Sequence, residues 1–190
     1  MSVNLIKGQK INLSKEVVGL SGVVVGLGWD AAKIGFFGGT YDIDCDASAI
    51  VLDNKDSYLD TVYFGNHSGA NGCVRHHGDN LTGDGDGDDE QITVDLQYMP
   101  SNVGKVVFVV NIYNCIARKQ DFGMIKNAFI RLVDQSNGKE ICRYNLSENY
   151  DGKTAMIFAE VYKHNGEWKF NALGQATDDT SISALSCRYR

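Results

Sequence analysis

Residues 156–173 read MIFAEVYKHNGEWKFNAL, two runs of strand-forming residues separated by Asn165-Gly166. Asn-Gly in that position is a strong hairpin signal, because both residues tolerate the positive φ that a type I′ turn requires. The stretch therefore predicts residues 156–162 and 167–173 as paired antiparallel strands. Upstream, Asn137-Gly138 stands between strand-like runs at 129–133 and 141–146 and predicts a second hairpin. Asn71-Gly72 lies between a weaker pair of runs. Residues 91–97 alternate, with Ile92, Val94 and Leu96 on one face and Thr93, Asp95 and Gln97 on the other, as in a half-buried strand. VVFVV at 106–110 is apolar on both faces, which predicts a central strand covered on both sides. Only 117–127 looks partly helical, weakened by Gly123, and 181–187 fits one helical turn. The pattern predicts a single all-β domain over residues 1–190, a two-sheet β-sandwich with one or two short helical segments.

Composition agrees with that reading. Of 190 residues 43% are hydrophobic and 22% charged, enough apolar material for a packed core and unlike a disordered chain. Pro100 is the single proline, so Pro-rich and collagen-like classes are excluded. MSVNLIKGQK at the amino terminus contains no long apolar run, so neither a signal peptide nor a transmembrane helix is expected, and the cytoplasm is the expected compartment. Cys45, Cys73, Cys115, Cys142 and Cys187 are odd in number and never fall as CxxC, which favours reduced thiols over disulfides or structural zinc. Basic residues are scattered, with no patch for nucleic acid.

Charge is concentrated in one place. The formal net charge is -6, from 18 Lys and Arg against 24 Asp and Glu. Residues 78–90, GDNLTGDGDGDDE, hold Asp79, Asp84, Asp86, Asp88, Asp89 and Glu90 and no base, so the rest of the chain is neutral. Two carboxylates about 6 Å apart repel by about 0.7 kcal/mol in water and about 3 kcal/mol at an effective dielectric of 20. A divalent cation reverses the sign of that energy, and Ca²⁺ takes oxygen donors in irregular geometry. Asp79, Asn80, Thr82, Asp84, Asp88, Asp89 and Glu90 offer such oxygens. The loop is not an EF-hand: Asp89 replaces the required Gly, and the ITVDL strand follows instead of a helix. Asp42, Asp44 and Asp46 in YDIDCDASAIVL share one face of a strand by alternation and supply a second acidic group. Asp30, after Gly26-Leu27-Gly28-Trp29, is a third candidate.

Other chemistries are poorly served. The Gly26-x-Gly28-x-x-Ala31 spacing imitates a dinucleotide fingerprint, but the glycine-studded AAKIGFFGG that follows has no helical period. His76 and His77 are adjacent on a strand and point to opposite faces, so they are expected to be two surface histidines. No GxSxG motif occurs.

GDNLTGDGDGDDE, together with GLGWD at 26–30, DCDASA at 44–49, NAFIRLVD at 127–134 and TAMIFAEVYKHNGEWKF at 154–170, resembles the bacterial tellurium-resistance TerD family, over roughly residues 1–175 and in matching order. The resemblance implies a cytoplasmic, calcium-binding β-sandwich associated with tellurite resistance, phage inhibition and colicin resistance, without established catalytic activity. It carries metal-binding roles onto Asp44, Asp46 and the loop from Asp79 through Glu90, with Asp30 as part of the shared motif. Asp84 and Asp86 stand where the family often has Glu, one methylene longer, which implies indirect ligation; Asp42 falls outside the DxDAS pattern. GQATDDT at 174–180 replaces the usual GQGY ending. The resulting expectation is a non-enzymatic protein that holds one or two Ca²⁺ ions and engages other proteins of the same resistance system. Its rivals are a metal-dependent hydrolase, a thiol-based detoxifying reductase and a sensor of a nucleotide or similar small ligand.

Overall fold

Alternation of apolar and polar side chains sorts the chain into two sheets whose apolar faces meet. The structure, a computed structural model, describes residues 2–31, 33–34, 39–40, 43–78 and 87–190, so Asp42, Asp79, Asn80, Thr82, Asp84 and Asp86 lie outside the described residues. In chain order the strands are β1 (Val3–Leu5), β2 (Lys10–Asn12), β3 (Gly22–Ala31), β4 (Lys33–Ile34), β5 (Gly39–Thr40), β6 (Cys45–Asp53), β7 (Tyr58–Val62) and β8 (Ser68–Gly69). There follow β9 (Val74–His76), β10 (Glu90–Asp95), β11 (Val103–Ile112), β12 (Ile125–Asp134), β13 (Glu140–Asn145), β14 (Ala155–His164) and β15 (Glu167–Thr177). The helices are short: α1 (Leu13–Glu16), α2 (Cys115–Arg118) and α3 (Ile182–Cys187).

One sheet runs β1-β13-β12-β3-β10-β9-β8 and the other β2-β15-β14-β11-β6-β7, with β4-β5 a separate two-stranded ribbon. Val23, Val25, Leu27, Ile92, Val94, Ile130 and Leu132 from the first sheet pack on Cys45, Ala47, Ala49, Val106, Phe108 and Phe170 from the second. The all-β sandwich is as expected. VVFVV forms the middle of β11, flanked by β6 and β14. Its second apolar face has a separate cover: Val107 and Val109, with Ile50, Leu52, Ala155 and Ile157, pack beneath Leu185 of α3. Ser181 caps that helix, its Oγ accepting from Ala184 N. Among the described residues no helix is long and apolar enough to cross a membrane.

The turns follow local chemistry. Asn165 and Gly166 take φ of 54° and 79° and join β14 to β15. Asn137-Gly138 also joins two strands, but only Gly138 is left-handed, at 72°. The turn is longer than two residues because the Asp134 carboxylate organises it, Oδ1 accepting from Ser136 N at 2.9 Å and Oδ2 from Asn137 Nδ2 at 2.7 Å. Asn71-Gly72 does link an antiparallel pair, β8 and β9. The helical expectation at 117–127 is corrected: α2 ends where Lys119 turns left-handed at φ 54°, Phe122–Met124 is a 3-10 turn, and β12 begins at Ile125.

On the outer side of β3 two glycines make room for larger neighbours. A Cβ on Gly28 would meet the Phe129 ring at 2.3 Å and Gly87 O at 2.8 Å, and one on Gly26 would meet the Asp88 carboxylate at 2.2 Å. Gly28→Ala is accordingly expected to lower stability by about 1–3 kcal/mol through overpacking, read as an earlier urea midpoint at unchanged slope. Leu185→Ala, emptying a fully buried site under α3, is expected to lose about 2–5 kcal/mol in the same measurement.

Candidate metal centre

The acidic loop connects β9 to β10, which are antiparallel neighbours with Ile92 opposite His76. Three consecutive acids close the loop, and the structure sends them to three places. Asp88 turns to the outer face of the first sheet, where Arg131 Nε and Nη2 reach Oδ1 and Oδ2 at 2.6 and 3.0 Å, and Gln91 Nε2 adds a bond at 2.9 Å. This two-pronged pair buries the Asp88 side chain to 2% exposure. The Asp88 carboxylate, followed by that of Glu140, holds the Arg131 guanidinium above its ordinary range. Asp88 was expected among the metal donors; in the structure Arg131 hydrogen-bonds to both of its oxygens. Asp89 stays with β3, donating its N–H to Leu27 O at 2.8 Å and accepting from Trp29 N on Oδ2 at 2.7 Å. Glu90 points into the sandwich and is buried.

Glu90 reaches the second acidic segment. Its Oε2 accepts the N–H of Ala47 at 2.9 Å, and His76 Nε2 lies 3.2 Å from both Glu90 Oε2 and Ala47 O. Ala47 directly follows Asp46, so the exit of the loop is tied to the aspartate strand. His76 corrects a sequence expectation: it is buried, while only His77 is exposed, bonded to Thr93 Oγ1. Val74 and His76 share the inward face of β9, and that two-residue period was the available signal.

Asp44 and Asp46 are both buried at the start of β6, where Cys45 and Ala47 face the core. Asp46 therefore faces away from the core, and Asn111 Nδ2, directly across on β11, donates to its Oδ2 at 3.3 Å. Asn111 is 5% exposed, and among the described residues its Oδ1 has no hydrogen-bond partner. Asp44 accepts from Tyr113 N on its backbone oxygen at 2.8 Å, and Arg118 Nη1 stands 4.0 Å from its Oδ2. Burial first, and then the carboxylates of Asp46, Glu90, Asp44 and Asp89, push the Cys45 thiol well up. Those four carboxylates are all among the expected donors. Asp30 is elsewhere, on the exposed outer side of β3, accepting from Asn127 Nδ2 at 2.7 Å.

Donor chemistry fits a hard cation: carboxylates and an orphaned amide oxygen, which suit Ca²⁺ rather than a thiolate-seeking metal. Among the described residues no three His, Cys, Asp or Glu side chains converge at ligand spacing. The remaining expected donors, Asp79, Asn80, Thr82 and Asp84, lie outside the described residues.

Known proteins resemble the chain from end to end. The TerD domain family model matches residues 1–189. The stress response protein SCP2 of Bacillus subtilis (strain 168) is 53% identical, covering 100% of both chains. Tellurium resistance protein TerD of Serratia marcescens is 46% identical over 92% of this chain and 91% of its own. A crystal structure of a homologue of telluride resistance protein (TerD) from Streptomyces coelicolor A3(2) has the same fold, with a TM-score of 0.67 at 20% identity over 87% of this chain and 95% of that one. By its sequence over nearly its whole length, and with a two-sheet sandwich to match, the chain belongs to the TerD family of tellurium-resistance and stress-response proteins.

Proposed function

We propose that the protein is a non-catalytic, calcium-binding component of a tellurium-resistance and stress-response system, working in the cytoplasm. Ca²⁺, one or two ions, is held between the Asp44–Asp46 segment and the acidic loop. Asp44, Asp46, Asp89 and Glu90 supply carboxylates, Asn111 an amide oxygen, and Asp79, Asn80, Thr82 and Asp84 complete the set. Asp30 and Asp88, engaged with Asn127 and Arg131, stay outside it. The bond from Ala47 N–H to Glu90 carries this reading, because it brings the end of one anionic segment onto the other. Gathering that many carboxylates in one corner is unfavourable by several kcal/mol unless a cation sits among them. The loaded corner would form a rigid surface on which other proteins of the resistance system dock.

A thiol-based reductase is less well supported. Burial pushes the Cys142 thiol up to about 12, and Cys45 is pushed up by burial and four carboxylates. Thiols so placed carry little thiolate, the form that reacts. A cavity of about 480 Å³ between residues 122–128 and 146–151 has neither His nor Cys in its lining.

Thermal unfolding tests the proposal. Calcium at a hundredfold excess over its Kd adds about 2.7 kcal/mol to the folded state, which for a chain of this length raises Tm by about 5–10 °C over the value in chelator. Equal Tm values in calcium and in chelator reject it. Replacing Asp44 and Asp46 together by Asn is expected to abolish the difference while leaving the chelator value close to that of the unsubstituted protein.

A further inference from the structure

His76 makes three contacts that the sequence order does not reveal. Its Nδ1 accepts the N–H of Gly78 at 3.2 Å, at the entry to the acidic loop. Its Nε2 faces Glu90 Oε2, at the exit of the same loop, and Ala47 O, on the aspartate strand, each at 3.2 Å. With Nδ1 accepting from a peptide N–H, the hydrogen of the neutral ring is on Nε2, and it is shared between the two oxygens. Ala47 N–H completes the cycle by donating to Glu90 Oε2 at 2.9 Å. One imidazole, itself buried, thus touches both ends of the loop and the strand that supplies the other carboxylates.

From this geometry we infer that His76 is a positioning residue for the calcium centre: it binds no metal and sets the distance between the two halves of the ligand set. The inference rests on the calcium reading above. Gly78 takes φ of 125°, a conformation nearly confined to glycine, which aims its N–H at the ring. Glu90 has few orientations open to it while Oε2 receives two donors. Without the imidazole, Glu90 Oε2 keeps the Ala47 N–H but loses the ring, the loop entry loses its contact with Nδ1, and Ala47 O loses the ring N–H. Outer-shell partners of this kind typically change metal affinity 10–100-fold when removed. The alternation of β9 implies an inward side chain at position 76 but not a histidine, since an apolar residue beside Val74 would satisfy the core equally well.

Calorimetric titration of the full chain with calcium chloride separates the outcomes, alongside Tm in chelator. His76→Leu, similar in bulk and unable to hydrogen-bond, is expected to weaken calcium binding at least tenfold. His76→Gln places an N–H donor near Nε2 and is expected to recover affinity to within about threefold. A purely structural role would lower Tm in chelator for both variants and leave both affinities alone. If His76→Leu binds calcium within threefold of the unsubstituted protein, the positioning role is wrong. Should His76→Leu fail to fold, His76→Asn takes its place: its shorter amide reaches toward Gly78 but not Glu90, and the same tenfold loss is required of it. Absence of calcium binding by the unsubstituted protein is a different result, and it removes the calcium reading itself.

Discussion

A single residue, Ala47, ties the two sheets together by directional bonds from its N–H and C=O. β7 pairs with β6 only as far as Ala49 opposite Val62, so among the described residues the N–H and C=O of Ala47 have no strand beside them on that side. An unsatisfied buried peptide group loses about 1–3 kcal/mol. Glu90 and His76, both from the opposite sheet, take the two groups in the way a neighbouring strand would. Apolar packing holds a sandwich together without specifying how one sheet slides on the other, because it is nearly non-directional. Bonds to the backbone of one residue remove that freedom. They do so where the acidic loop rejoins the sheet, so the register of the sandwich and the placement of the loop are one constraint.

That constraint also disposes of charge. Asp88, Asp89 and Glu90 are consecutive, and side chains clustered on one face would repel strongly. Strand geometry separates them: Asp88 goes outward to Arg131, Asp89 along the edge of β3 to Trp29 N–H, and Glu90 inward to Ala47 N–H. The outward course depends on Gly26, because any Cβ there would fall within the Asp88 carboxylate. Of the three acids, Glu90 reaches the residue that follows Asp46, through the Ala47 N–H.

Most of the fold was legible because it rests on short-range periodicity. The alternation in β10, the doubly apolar β11 and Asn165-Gly166 each report a local fact that the sandwich then uses. Asn137-Gly138 marked its turn but not the turn's type, since the Asp134 carboxylate redirects the backbone through its own hydrogen bonds. The helix expected over 117–127 was misplaced because Lys119 adopts a left-handed conformation that nothing in its side chain announces. At the candidate centre, acidic clustering pointed to two segments that the Glu90–Ala47 bond brings together. It did not show which acids face inward, because Asp88 and Glu90 differ only by their neighbours: Arg131 lies 43 residues from Asp88, and Ala47 lies 43 residues from Glu90. His76 was missed for the same reason, its partners Glu90 and Ala47 standing 14 and 29 residues away.

Loop length itself matters little to the balance. The segment between His77, whose N–H still bonds Gln91 O, and Glu90 is long for a hairpin connection. Closing a loop becomes only about 0.6 kcal/mol harder for each doubling of its length. What the fold must offset is therefore charge, not chain. Arg131 neutralises one carboxylate, backbone N–H groups satisfy two others, and His76 holds entry and exit together without adding a formal charge while its ring is neutral. Under the calcium reading, this division of labour decides how far the ion's influence extends. Glu90, one of the carboxylates that would hold the ion, is anchored on the residue that ties the sheets together, Ala47. Loading would then stiffen the sandwich beyond the loop, and metal occupancy would change the surface that another protein meets.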